Sequence, residues 1–365
     1  MSADPLQHAT PQILIGGEGA LRVIELNRPE ALNALTLEMI RAMAAYLDHF
    51  ETAPAAGYVA LRGAGSRGLC AGGDIRTLYN SILSGDGWAE AFWAEEYALN
   101  ARIGEYPKPY ISLMDGIVMG GGVGVSAHAK YRIVTERTKI AMPEVGIGLI
   151  PDVGGTWLLS RAPGETGTCL ALTGMTVGGA DAVYAGLADY FVEAAKLDDL
   201  LKAVAALPAP ADPAALTALL KSHHQPHATS LLLANRKTID ACFAKDRVED
   251  IILALERTQT PFARDVLAQM RAKSPVNLKV TLELLRRART ANNLRACLES
   301  EFTAIMQAIR HPDAVEGIRA AVIDKDRNPK WRPAHLAEVD QTDLEPYFAA
   351  KPRMTIPFHE PETLS

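Results

Sequence analysis

The stretch "MGGGVGVS", Met119 to Ser126, has no side chain at four of its eight positions. So much bare backbone serves close helix–sheet packing, a nucleotide cradle, or a site where backbone N–H groups themselves hold a ligand. Gly122, Gly124 and Ala127 do fit G-x-G-x-x-A, but that fingerprint needs a strand–turn–helix unit and a well-placed acid. Here "YRIVTE" reads as a new strand from Tyr131, which leaves space for a very short helix only. The third reading calls for a second donor loop, because one N–H at a helix start seldom suffices for a developing negative charge. "LCAGGDI", Leu69 to Ile75, provides it, with Gly73 at the mouth of a helix that Asp74 can cap. The same loop contains G-x-C-x-G over Gly68, Cys70 and Gly72, the shape of a nucleophile elbow with cysteine in the serine position. A cysteine hydrolase also needs an oriented histidine, and of nine in the chain only His128 lies near these motifs. A buried thiol acting as a small apolar group is the commoner case.

Outward from these loops, the first two hundred residues alternate short β-like runs with helices. "ILIGG" and "ALRVIELN" flank a glycine turn and predict a hairpin. "TLEMIRAMAAYLDHF" places Met39, Met43, Leu47 and Phe50 on one helical face, with Thr36 as N-cap. "GYVALRG", "PYISLMDG", "YRIVTE" and "TKIAMPE" read as strands, and "DIRTLYNSIL" as a helix opened by Asp74. From Leu201 the texture changes: "ALPAPADPAAL" is the best linker candidate. Beyond it "SLLLANRKTIDACF", "NLKVTLELLRRART" and "CLESEFTAIMQAIR" are helical in pattern. The expected organisation is an α/β core over 1–205 and a mainly helical region over 206–365.

Composition narrows the function. The 365 residues are 48% hydrophobic and 22% charged, a globular balance with room for a sizeable core. A net charge of −6 offers no basic excess for nucleic acid, though local basic pockets remain available to a small anion. Cys70, Cys169, Cys242 and Cys297 form no CxxC pair, so neither zinc knuckle nor disulfide framework is expected, and a reducing cytoplasm suits them. "MSADPLQHATPQ" lacks the pattern of a signal peptide, and the apolar window 111–127 is broken by Asp115 and glycines, so no membrane span is expected. "HHQPH", His223 to His227, lacks acidic or cysteine companions and reads as a solvent-exposed cluster; no metal is expected.

Four motifs in order, "NRPEALNAL" (Asn27–Leu35), "CAGGDI", "MGGGVG" and "MPEVGIGLIPDVGGTWLLSR", resemble the crotonase, or enoyl-CoA hydratase/isomerase, superfamily over about residues 12 to 190. The resemblance implies a crotonase-type spiral of ββα units, followed here by the C-terminal helical region, and a bent CoA thioester as ligand. It maps two backbone donors for the thioester oxygen onto Gly73 and Gly121. A hydratase of this superfamily uses two glutamates; the first would fall at Gly124, and glycine transfers no proton. The second is kept as Glu144, and a new acid stands at Asp152. That combination, with "SPVNLKVTLELL" and "EGIRAAVIDKDRNPKW" downstream, resembles the branch that hydrolyses 3-hydroxyisobutyryl-CoA in valine breakdown. "FWAEEYALN" fits the branch too, with Glu96 in the substrate site and Glu95 as its one-residue alternative. Trimers or larger homo-oligomers are common in the superfamily.

The chemistry then implied is thioester hydrolysis. Glu144 would attack the carbonyl to give a mixed anhydride, or deprotonate water. Asp152 would orient water or substrate, or share a proton with Glu144. Glu96 would bond a substrate hydroxyl, and Gly121, Glu144 and Asp152 complete the substrate contacts. Arg28, Ala31, Asp74 and Arg76 are the candidates for the CoA portion, with Lys325 and Lys330 behind them; no metal or redox cofactor is called for. Each acid also has a plainer reading: Glu144 as a turn cap, Asp152 as N-cap of the helix through "GGTWLLSR", and Glu95 and Glu96 as a solvated helix face. A hydratase or isomerase, and a CoA-binding scaffold without turnover, are the rival functions.

Overall fold

The computed structural model describes residues 8–226, 229–349 and 352–360. Its strands are β1 (Ile13–Gly16), β2 (Leu21–Leu26), β3 (Tyr58–Gly63), β4 (Gly68–Cys70), β5 (Tyr110–Met114), β6 (Ile117–Met119), β7 (Tyr131–Val134), β8 (Lys139–Ala141), β9 (Val177–Gly178) and β10 (Tyr190–Phe191). The hairpin β1–β2 forms as the glycine turn predicts, and opens a six-stranded sheet of order β1-β2-β3-β5-β7-β10. Beyond the hairpin that sheet is parallel. β5 is buried at every residue, the continuous apolar run of a strand covered on both faces.

Of the second sheet, β4-β6-β8-β9, the sequence foreshadows only β8, within "TKIAMPE"; β4, β6 and β9 have two or three residues each and carry no periodicity. Strands arrive in pairs, β3 then β4, β5 then β6, β7 then β8. The first of each pair joins the large sheet and the second the small one, which is the expected spiral. β4, β6 and β8 run parallel. Their carboxyl ends therefore open on one edge, where α/β folds place ligands. β4 and β6 approach so closely that a Cβ on Gly68 would overlap Ile117.

Helices support this edge. α1 (Leu37–Thr52) begins at Thr36, whose hydroxyl accepts from Met39 N, and buries Met39, Met43, Leu47 and Phe50 as read from the sequence. α2 (Ile75–Ser84) follows β4, α3 (Trp88–Gly104) crosses behind the glycine loops, and α4 (Gly121–Gly124) is the single turn that the early start of β7 requires. α5 (Gly155–Ser160) follows the "PDVGG" turn. "ALPAPADPAAL" is loop up to Asp212, which caps the helix Pro213–His223. One apolar cluster runs from Ile13 through Val118 and Leu285 to Ile305 and Tyr347, so the C-terminal helices share the core of the spiral. A smaller cluster joins Tyr58, Ile111 and Ile133 to Leu200, Val204 and Leu216 on the other face of the large sheet. No helix among the described residues is long and apolar enough to cross a membrane.

Gly68→Ala is expected to lower folding stability by about 1–3 kcal/mol, since β4 and β6 must separate to admit the methyl group. Denaturant unfolding measures it; an unchanged midpoint would mean that the close pairing is dispensable.

Candidate active site

The loop after β4 is tied to Leu35. Leu35 N donates to Gly72 O (2.8 Å) and Asp74 N donates to Leu35 O (2.9 Å), so this bridge uses the groups on either side of Gly73. The N–H of Gly73 itself points away from Leu35. Asp74 caps α2 as expected, accepting from Thr77 N at 3.3 Å. After β6, Val123 N and Gly124 N both donate to Gly120 O (2.8 and 3.2 Å). The N–H groups of Gly121 and Gly122 precede the first available carbonyl and stay unpaired within the helix. The loops meet closely: a Cβ on Gly121 would stand 3.4 Å from Gly73 N and overlap the Glu96 carboxyl. Glycine is required here by close approach.

Three carboxyl groups gather around this point. β8 leads through Met142 and Pro143 into the turn Glu144–Gly146, and Glu144 Oε1 lies 2.9 Å from where a Cβ on Gly120 would be. Glu144 is 7% exposed and its Oε2 has no hydrogen-bond partner. Glu96 is 2% exposed, with Oε1 likewise unpartnered. Glu95 turns the other way and pairs with Arg41 at 2.6 Å, so Glu96 is the acid that faces the glycines. Asp152 is buried, and its Oδ2 accepts from Trp93 Nε1 (3.0 Å) and the Tyr97 hydroxyl (2.9 Å). Trp93, Glu96, Tyr97 and Asn100 stand at helical spacing on α3 and present one face to the site.

The plainer readings of Glu144, Asp152 and Glu96 do not describe the structure, whereas Glu95 does lie on the outer face of α3. The turn after β8 starts at Pro143 without a side-chain cap, and α5 starts after Gly154 (φ 77°) rather than on Asp152. Burial pushes the Asp152 carboxyl up to about 6, against the pull of the Tyr97 and Trp93 hydrogen bonds. Burial, reinforced by the charge of Asp152, holds Glu144 and Glu96 well above the ordinary carboxyl range. Asp152 thus ionises first, and its charge keeps protons on its neighbours.

Other candidates fall into place. Cys70 is fully buried against the Gly72 backbone, and burial pushes its thiol up to about 12. His128 Nε2 bonds Val153 O at 2.7 Å, with burial pushing the ring down to about 4, so neither group is a nucleophile or base for the other. At Gly124 a Cβ would lie 2.7 Å from Val153 Cβ and 2.8 Å from Asn100 Nδ2, which leaves no room for a glutamate. Arg28 pairs with Asp74 at 3.1 Å and donates to Ala34 O at 2.7 Å; half-buried Ala31 lies in the short turn Pro29–Ala31 beside it. Arg76 is exposed and reaches Val322 O at 3.2 Å, while Lys330 bonds Asn328. In "HHQPH", His223 bonds Leu219 O, His224 accepts from Phe191 N, and His227 lies outside the described residues. One trio of ligand-like spacing among the described residues, Asp48, Glu51 and His359, already has Arg102 on both carboxylates.

Trp93, Tyr97 and Asn100 escaped sequence reasoning, and so did an acid far along the chain. Glu301, on the helix Leu294–Ala308, is fully buried and accepts from Gly154 N (2.7 Å), Thr156 N (2.8 Å) and the Thr156 hydroxyl. Burial pushes it up to about 8 against those donors. A lone acid on the apolar side of "CLESEFTAIM" was the available signal.

A model of the enoyl-CoA hydratase/isomerase family matches residues 21–348. The chain belongs to that family. Mitochondrial 3-hydroxyisobutyryl-CoA hydrolases of Rattus norvegicus and Homo sapiens are each 39% identical to it, over 93% of this chain and 89% of theirs. Among solved structures, a carnitinyl-CoA dehydratase from Mycobacterium thermoresistibile is 47% identical with TM-score 0.88, covering 94% of this chain and 97% of that one. An enoyl-CoA hydratase from Rhodobacter sphaeroides 2.4.1 is 40% identical with TM-score 0.85, over 93% and 97%.

The folded family member holds the Asp152 proton up to about 6, whereas the unfolded chain releases it near 3.8. Ionising Asp152 therefore withdraws folded stability as pH rises through that interval. Asp152→Asn escapes this loss and is expected to gain on wild type by about 3 kcal/mol between about pH 4 and pH 7. Urea unfolding at both pH values measures it; a pH-independent difference would contradict the burial of this charge.

Proposed function

We propose that the enzyme hydrolyses 3-hydroxyisobutyryl-CoA, or a closely similar 3-hydroxyacyl-CoA, to the free acid and CoA, as a step of valine breakdown. The observation that carries this reading is the grouping of two free backbone donors with buried Glu144 and Asp152, beside a Gly124 that admits no second glutamate. The names of the rat and human relatives agree with it.

In this reading the N–H groups of Gly73 and Gly121 hold the thioester oxygen, each worth about 10²–10³ in rate. Glu144 passes its proton to ionised Asp152 as the substrate settles. The Glu144 carboxylate then attacks the carbonyl, the C–S bond breaks, and Asp152 returns the proton to the departing thiolate. Water cleaves the mixed anhydride while Asp152 accepts its proton; if water attacks the thioester directly, Glu144 is the base. Glu96, whose Oε1 lacks a protein partner, exchanges a hydrogen bond with the substrate hydroxyl and selects for it. Arg28, Ala31, Asp74 and Arg76 lie along the CoA portion. Every step uses carboxyl groups, amide N–H and water, so no metal or redox cofactor is invoked. The cytoplasm is the proposed compartment, which the four free, buried cysteines suit, although the rat and human relatives carry "mitochondrial" in their names. Self-assembly into a homo-oligomer belongs to the same proposal.

The names of the two solved relatives favour a second reading, hydration or dehydration of an enoyl-CoA. With position 124 closed, Glu96 would have to serve as its second acid. Thiol release from 3-hydroxyisobutyryl-CoA, run beside loss of enoyl absorbance from crotonyl-CoA, separates the two. Thiol release without hydration is expected, and Glu144→Gln is expected to slow it by about 10²–10⁴-fold. Hydration without thiol release would overturn the proposal.

A further inference from the structure

We infer that Glu301 is a positioning residue for this hydrolysis: through the turn from Asp152 to Thr156 it fixes the direction of the Asp152 carboxylate. The inference rests on the hydrolase reading for its kinetic meaning and on the turn itself for its geometry.

The turn is one that its own residues resist. Val153, a β-branched residue, sits at φ 52°, and Gly154 follows at φ 77°. Left-handed backbone is unfavourable for valine and persists only where the surroundings impose it. Three clamps impose it here. Gly155 N donates to Asp152 O at 2.6 Å, His128 Nε2–H donates to Val153 O at 2.7 Å, and Glu301 takes the N–H groups of Gly154 and Thr156 together with the Thr156 hydroxyl. The first two hold carbonyls; Glu301 receives the N–H groups of Gly154 and Thr156, on either side of Gly155. The helix that presents Glu301 also carries Phe302, whose ring meets Tyr97 edge-on with centroids 5.9 Å apart. Tyr97 is a donor to the Asp152 carboxylate. One C-terminal helix therefore holds Asp152 twice, its backbone through Glu301 and its side chain through Tyr97. This gives the region beyond residue 206 a specific task at a site otherwise built by the spiral.

Glu301→Gln keeps the size of the side chain but sets an NH₂ group against backbone donors. The expected result is a fall in kcat for thiol release of roughly 10–100-fold with KM within about threefold, the signature of misplacement rather than lost binding. Combined with Asp152→Asn, the same change should lower kcat no further. Hydrogen exchange of the Gly154 and Thr156 amides, followed by mass spectrometry, should quicken while exchange in the large sheet stays as in wild type. Unchanged kcat, unchanged exchange at the turn, or a loss that multiplies with that of Asp152→Asn would each overturn the inference. If Glu301→Gln does not fold, Thr156→Val removes a single donor and is judged by the same kcat and exchange criteria. Wild-type protein that releases no thiol would contradict the hydrolase reading instead, and amide exchange would then decide the Glu301 clamp alone.

Discussion

The parallel pairing of β4, β6 and β8 is the constraint on which the site depends. These three-residue strands contribute little burial of their own, yet their direction sends three successive chain exits to one edge. The first exit frees the Gly73 N–H, the second frees that of Gly121, and the third delivers Glu144. The pairing demands glycine at 68 and 122, where a Cβ would overlap Ile117 and the Cys70 carbonyl. A sheet too small to stabilise a fold thus sets the geometry of its chemistry, while the larger sheet and its helices provide the core that holds it still.

The site is built against the stability of the protein around it. Three carboxyl groups are buried together, the charge of Asp152 adds to burial in raising the proton affinity of Glu96 and Glu144, and those two keep an oxygen without a hydrogen-bond partner. Unsatisfied buried groups of this kind are costly. They make sense as places that a bound substrate completes. Asp152 is the exception, since Trp93 and Tyr97 give its charge two donors, and this sets the order in which the group of acids ionises.

Local features were legible in the sequence. The Thr36 cap, the hairpin turn and the buried stripe of α1 follow from spacing alone, as does the brevity of α4. The convergence of the two glycine loops was legible only as an allowance, because three-residue strands carry no periodicity and their pairing is a long-range event. Glu95 and Glu96 were indistinguishable for a similar reason: α3 is buried on more than one side, so its pattern does not say which acid faces inward. Nothing local marks Trp93 and Tyr97 apart from ordinary core aromatics, and nothing local ties Glu301 to a turn about 150 residues before it. Glu144 and Asp152 could be favoured over turn caps only because several motifs occurred together in family order.

The central claim is that Gly73 and Gly121 polarise a thioester carbonyl. The most direct measurement is the infrared stretch of that carbonyl, using substrate labelled with ¹³C at the thioester carbon and bound to slow Glu144→Gln enzyme. Two N–H donors in a dry site predict a band at lower frequency than the same thioester shows in water. A band at or above its aqueous position would contradict the claim, whatever the rate of turnover.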